Sequence, residues 1–323
     1  MRPRPDSFEA GEAEAGSRLD RLLAARLGIP RNQVQQWIGG GRVTVDAEPV
    51  RASLVVRPGM RIAWDPPPPP PSRIDPETAE LTLLHLDDDL VALDKPAGLA
   101  VHPGAGRATG TLVHRLVARF PEITGVGGPG RPGIVHRLDL GTSGVIVVAR
   151  TAAAYQALAR AFAERTVEKW YLALVHGVPA ADRIEIELPI GRHPVERKKM
   201  AIVARGRPAR TEIHRIATAG SLSLLAVRIR TGRTHQIRVH LRHLRLPIVG
   251  DPVYGEARWR ALPGGPARRA LAAFSRPALH AWRLRFAHPR DGRLLTVEAA
   301  PAADLRALWE TATATPWPAL PEC

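Results

Sequence analysis

The stretch His136-Arg137-Leu138-Asp139-Leu140-Gly141-Thr142-Ser143-Gly144 runs straight into the apolar sequence Val145-Ile146-Val147-Val148-Ala149. A short, continuous, β-branched run of this kind reads as a strand buried on both faces. One carboxylate, Asp139, therefore hangs at the mouth of a buried strand, in a loop rich in glycine and hydroxyls and beside Arg137 and His136. Loops held by a rigid sheet are where proteins place chemistry. Taken alone, the loop is equally an ordinary turn in which Asp139 and Thr142 bond their own backbone, so the rest of the chain must decide. A kinase catalytic loop also begins His-Arg, but it places Asp directly after Arg and requires a downstream Asn. Here Leu138 intervenes and no Asp-Phe-Gly occurs anywhere, which excludes that reading.

The chain has 323 residues, enough for two domains with a sizeable core. Lys and Arg number 46 against 31 Asp and Glu, a net charge of +15 that favours a polyanionic partner, nucleic acid foremost. Lysine occurs only at Lys95, Lys169, Lys198 and Lys199, so the charge is carried by arginine, which suits bidentate phosphate contact. GC-rich coding accounts for the arginine bias equally well, and no affinity is read from it. A membrane surface competes for the same charge, but there is neither a basic amphipathic helix with a bulky aromatic face nor an apolar run long enough to span. The one cysteine, Cys323, leaves no intramolecular disulfide, Cys-based zinc site or buried thiol nucleophile. The start of the chain is acidic (Asp6, Glu9, Glu12, Glu14) and unlike a signal peptide, so a cytoplasmic protein is expected.

Residues 1–16 read as a disordered tail and 17–65 as a small domain. Ser17 is placed to cap a helix striped by Leu19, Leu22, Leu23 and Leu27 and ended by Gly28. A second helix carries Val34, Trp37 and Ile38 and stops at Gly39-Gly40-Gly41. Short strands are expected at Arg42–Val45, around Val50, at Leu54–Val56 and at Arg61–Trp64. The prolines from Pro66 to Pro71 open a stiff linker, 66–80, with a rise of about 3.1 Å per residue. From 81 to 312 strands and helices follow without strict βαβ alternation, so the fold class expected is α+β with a mixed, largely antiparallel sheet. A C-terminal tail is expected over 313–323. Strands are expected at Leu81–Leu86 and Leu90–Asp94, a hairpin around Asp87-Asp88-Asp89, and again at Lys169–Val175, Ile184–Leu188, Leu222–Arg230, Ala281–Phe286 and Leu294–Val297. Thr151 is expected to cap a helix running through Arg165. Leu93 to Pro103 reads as a strand, a Pro-Gly turn and a second strand.

The opening motif is more than a turn in this setting. His-Arg-Leu-Asp-x-x-Thr-Ser-Gly resembles the active-site motif of the RluA-type RNA pseudouridine synthases, and every defined position complies. Three more segments share the resemblance: Asp94-Lys95-Pro96-Ala97-Gly98-Leu99-Ala100-Val101-His102, Lys169-Trp170-Tyr171, and Gly232-Arg233-Thr234-His235-Gln236-Ile237-Arg238-Val239-His240. In the last, Thr231 or Thr234 can cap a helix whose buried face is Ile237, Leu241 and Leu244. The loop Pro247–Gly255 also matches and reads as structural. The small domain resembles the alpha-L RNA-binding domain shared with a small-subunit ribosomal protein, on Arg18-Leu19-Asp20 and Arg42-Val43-x-Val45. The histidines His235, His240 and His243 fit no standard zinc spacing.

The resemblance implies isomerisation of uridine to pseudouridine in RNA, in a pseudouridine synthase-type catalytic domain preceded by an alpha-L domain. It implies no cofactor and no metal. The catalytic residues it implies are Asp139, Tyr171 and Arg238: Arg238 pairs with Asp139, and Tyr171 lies against the base. Asp139 acts on the ribose by attack at C1′, by removing the 2′ proton, or by addition to the ring, and the sequence leaves all three open. Leu279 and Ile237 are carried into the base pocket. Arg137 fills the stack vacated by the extruded nucleotide. Further RNA contacts are assigned to His136, Arg18, Arg42, Arg192, Lys198, Lys199 and Arg233. The pairing with an alpha-L domain points to large-subunit (23S) ribosomal RNA as the partner, with transfer RNA the alternative substrate, in a protein that works as a monomer. A non-catalytic RNA-binding assembly factor fits the charge but makes no use of Asp139, Tyr171 and Arg238.

Overall fold

In a computed structural model of the chain the described residues are 6–29, 31–66, 74–104, 107–128, 130–196 and 199–321. The chain divides into two compact units, Met1–Ser72 and Arg73–Cys323. The polyproline spacer falls almost wholly outside the described residues, as do Lys198 and Cys323.

In the first unit β1 (Asp6–Glu9) precedes α1 (Leu19–Leu27), α2 (Arg31–Gly39), β2 (Val43–Val45), β3 (Glu48–Pro49) and β4 (Arg61–Trp64), and the strands form an antiparallel sheet in the order β1-β4-β2-β3. The helical stripe buries Leu19, Leu23, Val34 and Ile38 against Val43 and Ile62. Gly28 ends α1 in the left-handed conformation that a residue without Cβ adopts freely. The expected tail through residue 16 is corrected. Asp6–Glu9 pairs with β4, Ala10 is buried, and the Phe8 ring meets Trp64 edge-on and carries the Arg26 guanidinium 3.9 Å above it. Asp6, Glu9 and Glu12 are exposed, while Glu14 accepts the Gly11 amide at 2.6 Å and pairs with Arg26 at 2.9 Å. Ser17 does not cap α1; Arg18 is the N-cap residue, without a side-chain capping bond. The strand expected around Val50 forms as β3, one residue earlier, and none forms over Leu54–Val56, where Val55 makes one isolated bridge to Arg18.

The second unit opens on the hairpin β5 (Thr82–Leu86) and β6 (Leu90–Lys95), then α3 (Leu112–Arg119), β7 (Ser143–Ala149), α4 (Ala152–Ala163) and β8 (Glu168–His176). It continues through β9 (Arg183–Glu187), the small ribbon β10 (Ile190–Arg192) and β11 (Met200–Ile202), β12 (Arg210–Ala219), β13 (Leu222–Ile229) and α5 (Gln236–His243). It closes with α6 (Pro266–Ala273), β14 (Leu279–Ala287), β15 (Leu294–Glu298) and α7 (Ala303–Thr313). The main sheet runs β5-β6-β7-β14-β8-β13-β12-β9, with β15 paired to β14. Every pairing in it is antiparallel except β7 with β14. This is the mixed, antiparallel-rich α+β fold expected. All seven residues of β7 are buried, as its apolar run requires. Gly144 makes the β7–β14 contact possible. Its φ is 108°, and a Cβ there would lie 2.1 Å from the Ala281 carbonyl oxygen.

Thr151 caps α4, its hydroxyl accepting the Ala154 amide at 3.1 Å, but the helix ends at Ala163 rather than Arg165. The second strand expected after Gly98 does not form. The Lys95 side chain is fully buried instead, and its ammonium donates to the Pro96 and Leu99 carbonyls at 2.8 and 3.0 Å. Burial, then the charge of Arg276, pushes its pKa down to about 7, and the two hydrogen bonds tie the turn to the Lys95 side chain. The C-terminal tail is also corrected: Trp317 and Leu320 pack on the main core, and Trp309 donates its indole N–H to the Pro316 carbonyl at 3.1 Å. Among the described residues no helix is long and apolar enough to cross a membrane.

Candidate active site

The loop that carries Asp139 is fixed from several sides. The Thr142 amide closes a turn on the Asp139 carbonyl at 3.0 Å, Gly98 donates to the Leu140 carbonyl at 2.8 Å, and Leu138 is buried. The turn curled over Lys95 therefore braces the loop. His136 is used structurally: its Nε2 accepts the Val147 amide at 2.9 Å and its ring stacks on Phe162. Burial, with the Lys169 charge beside it, pushes its pKa down to about 3, so it is a neutral acceptor. A neutral His136 brings no charge to a phosphate, and the residue lines the cavity that Asp139 faces.

Asp139 faces a cavity of about 510 Å³ whose lining includes Tyr171, Arg238, Arg137, Arg233, Ile237 and Leu279. The structure thus gathers the three residues assigned to catalysis, the two assigned to the base pocket and three of the RNA contacts, His136, Arg137 and Arg233. Strand alternation explains Tyr171: on β8, between β14 and β13, it shares the cavity face with Lys169 while Trp170 turns to the other side. Burial, then the charge of Asp139, raises the Tyr171 pKa, so the phenol keeps its proton. Lys169 donates to the Val167 carbonyl and is pushed down to about 8 by burial and by Arg165, Arg230 and Arg228.

Arg238 projects from the first turn of α5. Its Nη1 donates to Asp139 Oδ2 at 3.2 Å, while Nε and Nη2 grip both oxygens of Asp251 at 2.6 and 2.8 Å. Burial opposes charge on Asp251, yet the Arg238 hydrogen bonds and charge, with the Val253 and Tyr254 amides, hold its carboxyl below the ordinary range. Burial likewise disfavours charge on Arg238, and the hydrogen bond and charge of Asp251 outweigh it. Asp251 is not legible as a site residue in the sequence, where its loop reads as structural; only the fold brings it against Arg238. The cap expected from Thr231 or Thr234 is also corrected: His235 is the N-cap of α5, and the Thr231 hydroxyl donates to Gln236 Oε1 at 2.7 Å.

Arg165, Arg207 and Arg230 also line the cavity and were missed, because they come from the turn after α4, the loop before β12 and the end of β13. Burial and the charges of Arg207 and Arg165 lower the pKa of Arg233, so these three guanidiniums crowd one another. Arg165 and Arg207 form no ion pair among the described residues. Other assigned cations lie outside the cavity lining. Arg18 donates to Asp20, Arg42 to Asp65, and Lys199 pairs with Glu196. Arg192 sits on β10. His235 and His240 have separate partners, Tyr254 for the first and Thr211 with the Leu188 carbonyl for the second, and do not converge on a metal.

A model of the RNA pseudouridylate synthase family matches residues 89–243, and a model of the S4 domain matches residues 17–62. An uncharacterized RNA pseudouridine synthase of Chloroflexus aurantiacus is 46% identical over 294 residues, 91% of this chain and 89% of that protein. Ribosomal large subunit pseudouridine synthase D of Nitrosomonas europaea is 40% identical over 321 residues, 94% of this chain and 91% of that one. Among solved structures, human RNA Pseudouridylate Synthase Domain Containing 4 superposes with a TM-score of 0.56 at 26% identity, covering 72% of this chain and 92% of that one. The chain belongs to the RNA pseudouridine synthase family, with an S4 domain ahead of its catalytic unit.

Proposed function

We propose that this protein converts uridine to pseudouridine in large-subunit ribosomal RNA, with Asp139 as the group that acts on the ribose. The observation that carries the reading is Asp139 itself, the carboxylate of a cation-rich cavity, held by Arg238 and sharing that cavity with Tyr171. The uridine N1–C1′ bond breaks, the base turns, and C5 joins C1′ as its proton leaves and N1 gains one. The substrate and product are isomers. The target nucleotide must leave its stack, at a cost of a few kcal/mol. Tyr171, Ile237 and Leu279 offer an aromatic ring and apolar walls to the base, as unpaired bases require. Arg137, exposed beside the loop, is placed to fill the gap left in the RNA. Arg165, Arg207 and Arg233, crowded together, favour phosphates as their counter-ions. In this reading the enzyme works as a monomer, in the cytoplasm with its RNA.

Large-subunit specificity rests on the S4 domain and on relatives such as the Nitrosomonas enzyme, whose name assigns it to the ribosomal large subunit. Pseudouridine mapping in cells lacking the protein is expected to lose one or a few large-subunit sites, at unpaired positions where extrusion is cheapest. An unchanged large-subunit map with a lost transfer RNA site would assign the enzyme to transfer RNA instead.

The S4 unit supplies grip rather than chemistry in this account, through exposed cations such as Arg21, Arg51, Arg57 and Arg61. Each unit has its own core, so removing residues 1–65 is expected to leave a folded, weaker binder. Each phosphate that the truncated protein no longer neutralises should reduce the slope of log K against log salt by about 0.7 to 0.9. An unchanged slope in a titration of binding against salt would show that the unit does not touch RNA.

A further inference from the structure

His235 is not accounted for by packing alone. It stands at φ 57° and ψ 22°, in the left-handed region that residues with a Cβ enter rarely and that recurs at functional sites. Its side chain makes no capping bond to α5. The ring instead bridges two groups: Nδ1 lies 2.8 Å from the Tyr254 hydroxyl, and Nε2 lies 3.9 Å from Asp139 Oδ2.

The Tyr254 hydroxyl decides which nitrogen carries the proton. Tyr254 is 4% exposed, and its oxygen already accepts the Met200 amide at 2.7 Å. Burial raises its pKa, so the phenol is protonated, and its hydrogen needs an acceptor. Imidazole Nδ1 is the acceptor in reach. If Nδ1 carried the hydrogen, the phenol hydrogen would be buried without a partner. The charges facing the ring are Asp139 and Arg238, then Asp251 and Arg137. Burial outweighs the two carboxylates, so the His235 pKa is lowered and the ring is neutral near pH 7. A neutral imidazole that accepts at Nδ1 carries its hydrogen on Nε2.

We infer that His235 is a positioning residue whose Nε2–H, fixed by Tyr254, is a second donor to Asp139 Oδ2 beside Arg238. This rests on the proposed role of Asp139 and deepens it. The gap of 3.9 Å exceeds a hydrogen bond, and catalytic hydrogen bonds commonly tighten only in the substrate complex. With two donors directed at Oδ2, the lone pairs of Oδ1 are left for the ribose. His235 therefore selects which oxygen reacts, and it moves no proton itself.

Two measurements test this. In ¹⁵N-imidazole-labelled full-length protein near pH 7, His235 should show a pyridine-like Nδ1 and a protonated Nε2. A protonated Nδ1, or an imidazolium, overturns the inference whatever the RNA substrate proves to be. In turnover assays His235→Asn, which tolerates the left-handed backbone, removes the Nε2 donor. It should lower kcat by about ten- to a hundredfold, with KM within about twofold. His235→Gln restores an amide N–H near the Nε2 position and cannot act as an acid or base at neutral pH. It should recover about tenfold or more of that loss. Equal loss in both variants, or no loss in Asn, contradicts a positioning donor. If wild-type protein forms no pseudouridine, the parent reading fails, while the tautomer stands or falls by its spectrum.

Discussion

Asp139→Asn is expected to form no detectable pseudouridine, a loss of about 10⁴-fold or more, the scale seen when a reacting group is removed. Its RNA affinity should stay within a few fold of wild type. The structure explains why the two effects separate. Asn keeps the size of the side chain, and the loop around it is fixed by backbone contacts such as Thr142 to Asp139 and Gly98 to Leu140. Arg238 does not swing free, because Asp251 holds it through two hydrogen bonds. The cationic rim is therefore unchanged, and the substitution removes a negative charge from a surface built for an anion. Filter binding beside a pseudouridine assay measures both quantities. Clear turnover by Asp139→Asn would remove Asp139 from the chemistry.

Arg238→Met should lose activity and stability together. The side chain of Asp251 is fully buried and depends on Arg238 for its charge. Removing one partner of such a pair strands the other, at a cost of about 3 to 5 kcal/mol. The cost carries a pH signature. In wild type the folded Asp251 pKa lies below the unfolded value of about 3.9. Its contribution is therefore present at neutral pH and lost as pH falls through the folded value. Without Arg238, burial raises the folded pKa above about 3.9, and the carboxyl opposes folding as pH rises. The melting-temperature gap between wild type and Arg238→Met should be widest near neutral pH and narrow below about pH 4. Arg238→Lys keeps the charge but not the planar fork. It should lose most of the activity and less of the stability. A gap independent of pH would contradict the pairing with Asp251.

The parts of the site legible in the sequence are those coded locally. The run after Ser143 announced β7 because both faces of that strand are buried. Alternation along Glu168–His176 sent Lys169 and Tyr171 to one face and Trp170 to the other. What escaped depends on contacts between distant segments. Asp251 meets Arg238 only because the loop after α5 folds back over it. Arg165 and Arg207 are distant in sequence from Arg233, which the motif carries, and crowd against it only in the fold. β12 escaped because Arg210, Glu212, His214 and Arg215 interrupt its apolar pattern; Glu185, Arg183 and Asp182 meet Arg210, Glu212 and Arg215, and His214 bonds Glu212 on its own strand. The acidic start of the chain misled for the opposite reason: a short edge strand whose only apolar anchors are Phe8 and the following Ala10 looks polar when read as composition.

The most direct test of the central claim is tritium release from an RNA transcript labelled with [5-³H]uridine, because joining C5 to C1′ must expel the C5 hydrogen. The purified full-length protein is predicted to release tritium from a large-subunit ribosomal RNA transcript in a single turnover, while Asp139→Asn releases none from the same transcript that it still binds. Release by Asp139→Asn at the wild-type rate, or none by the wild-type protein from any RNA, would contradict the account.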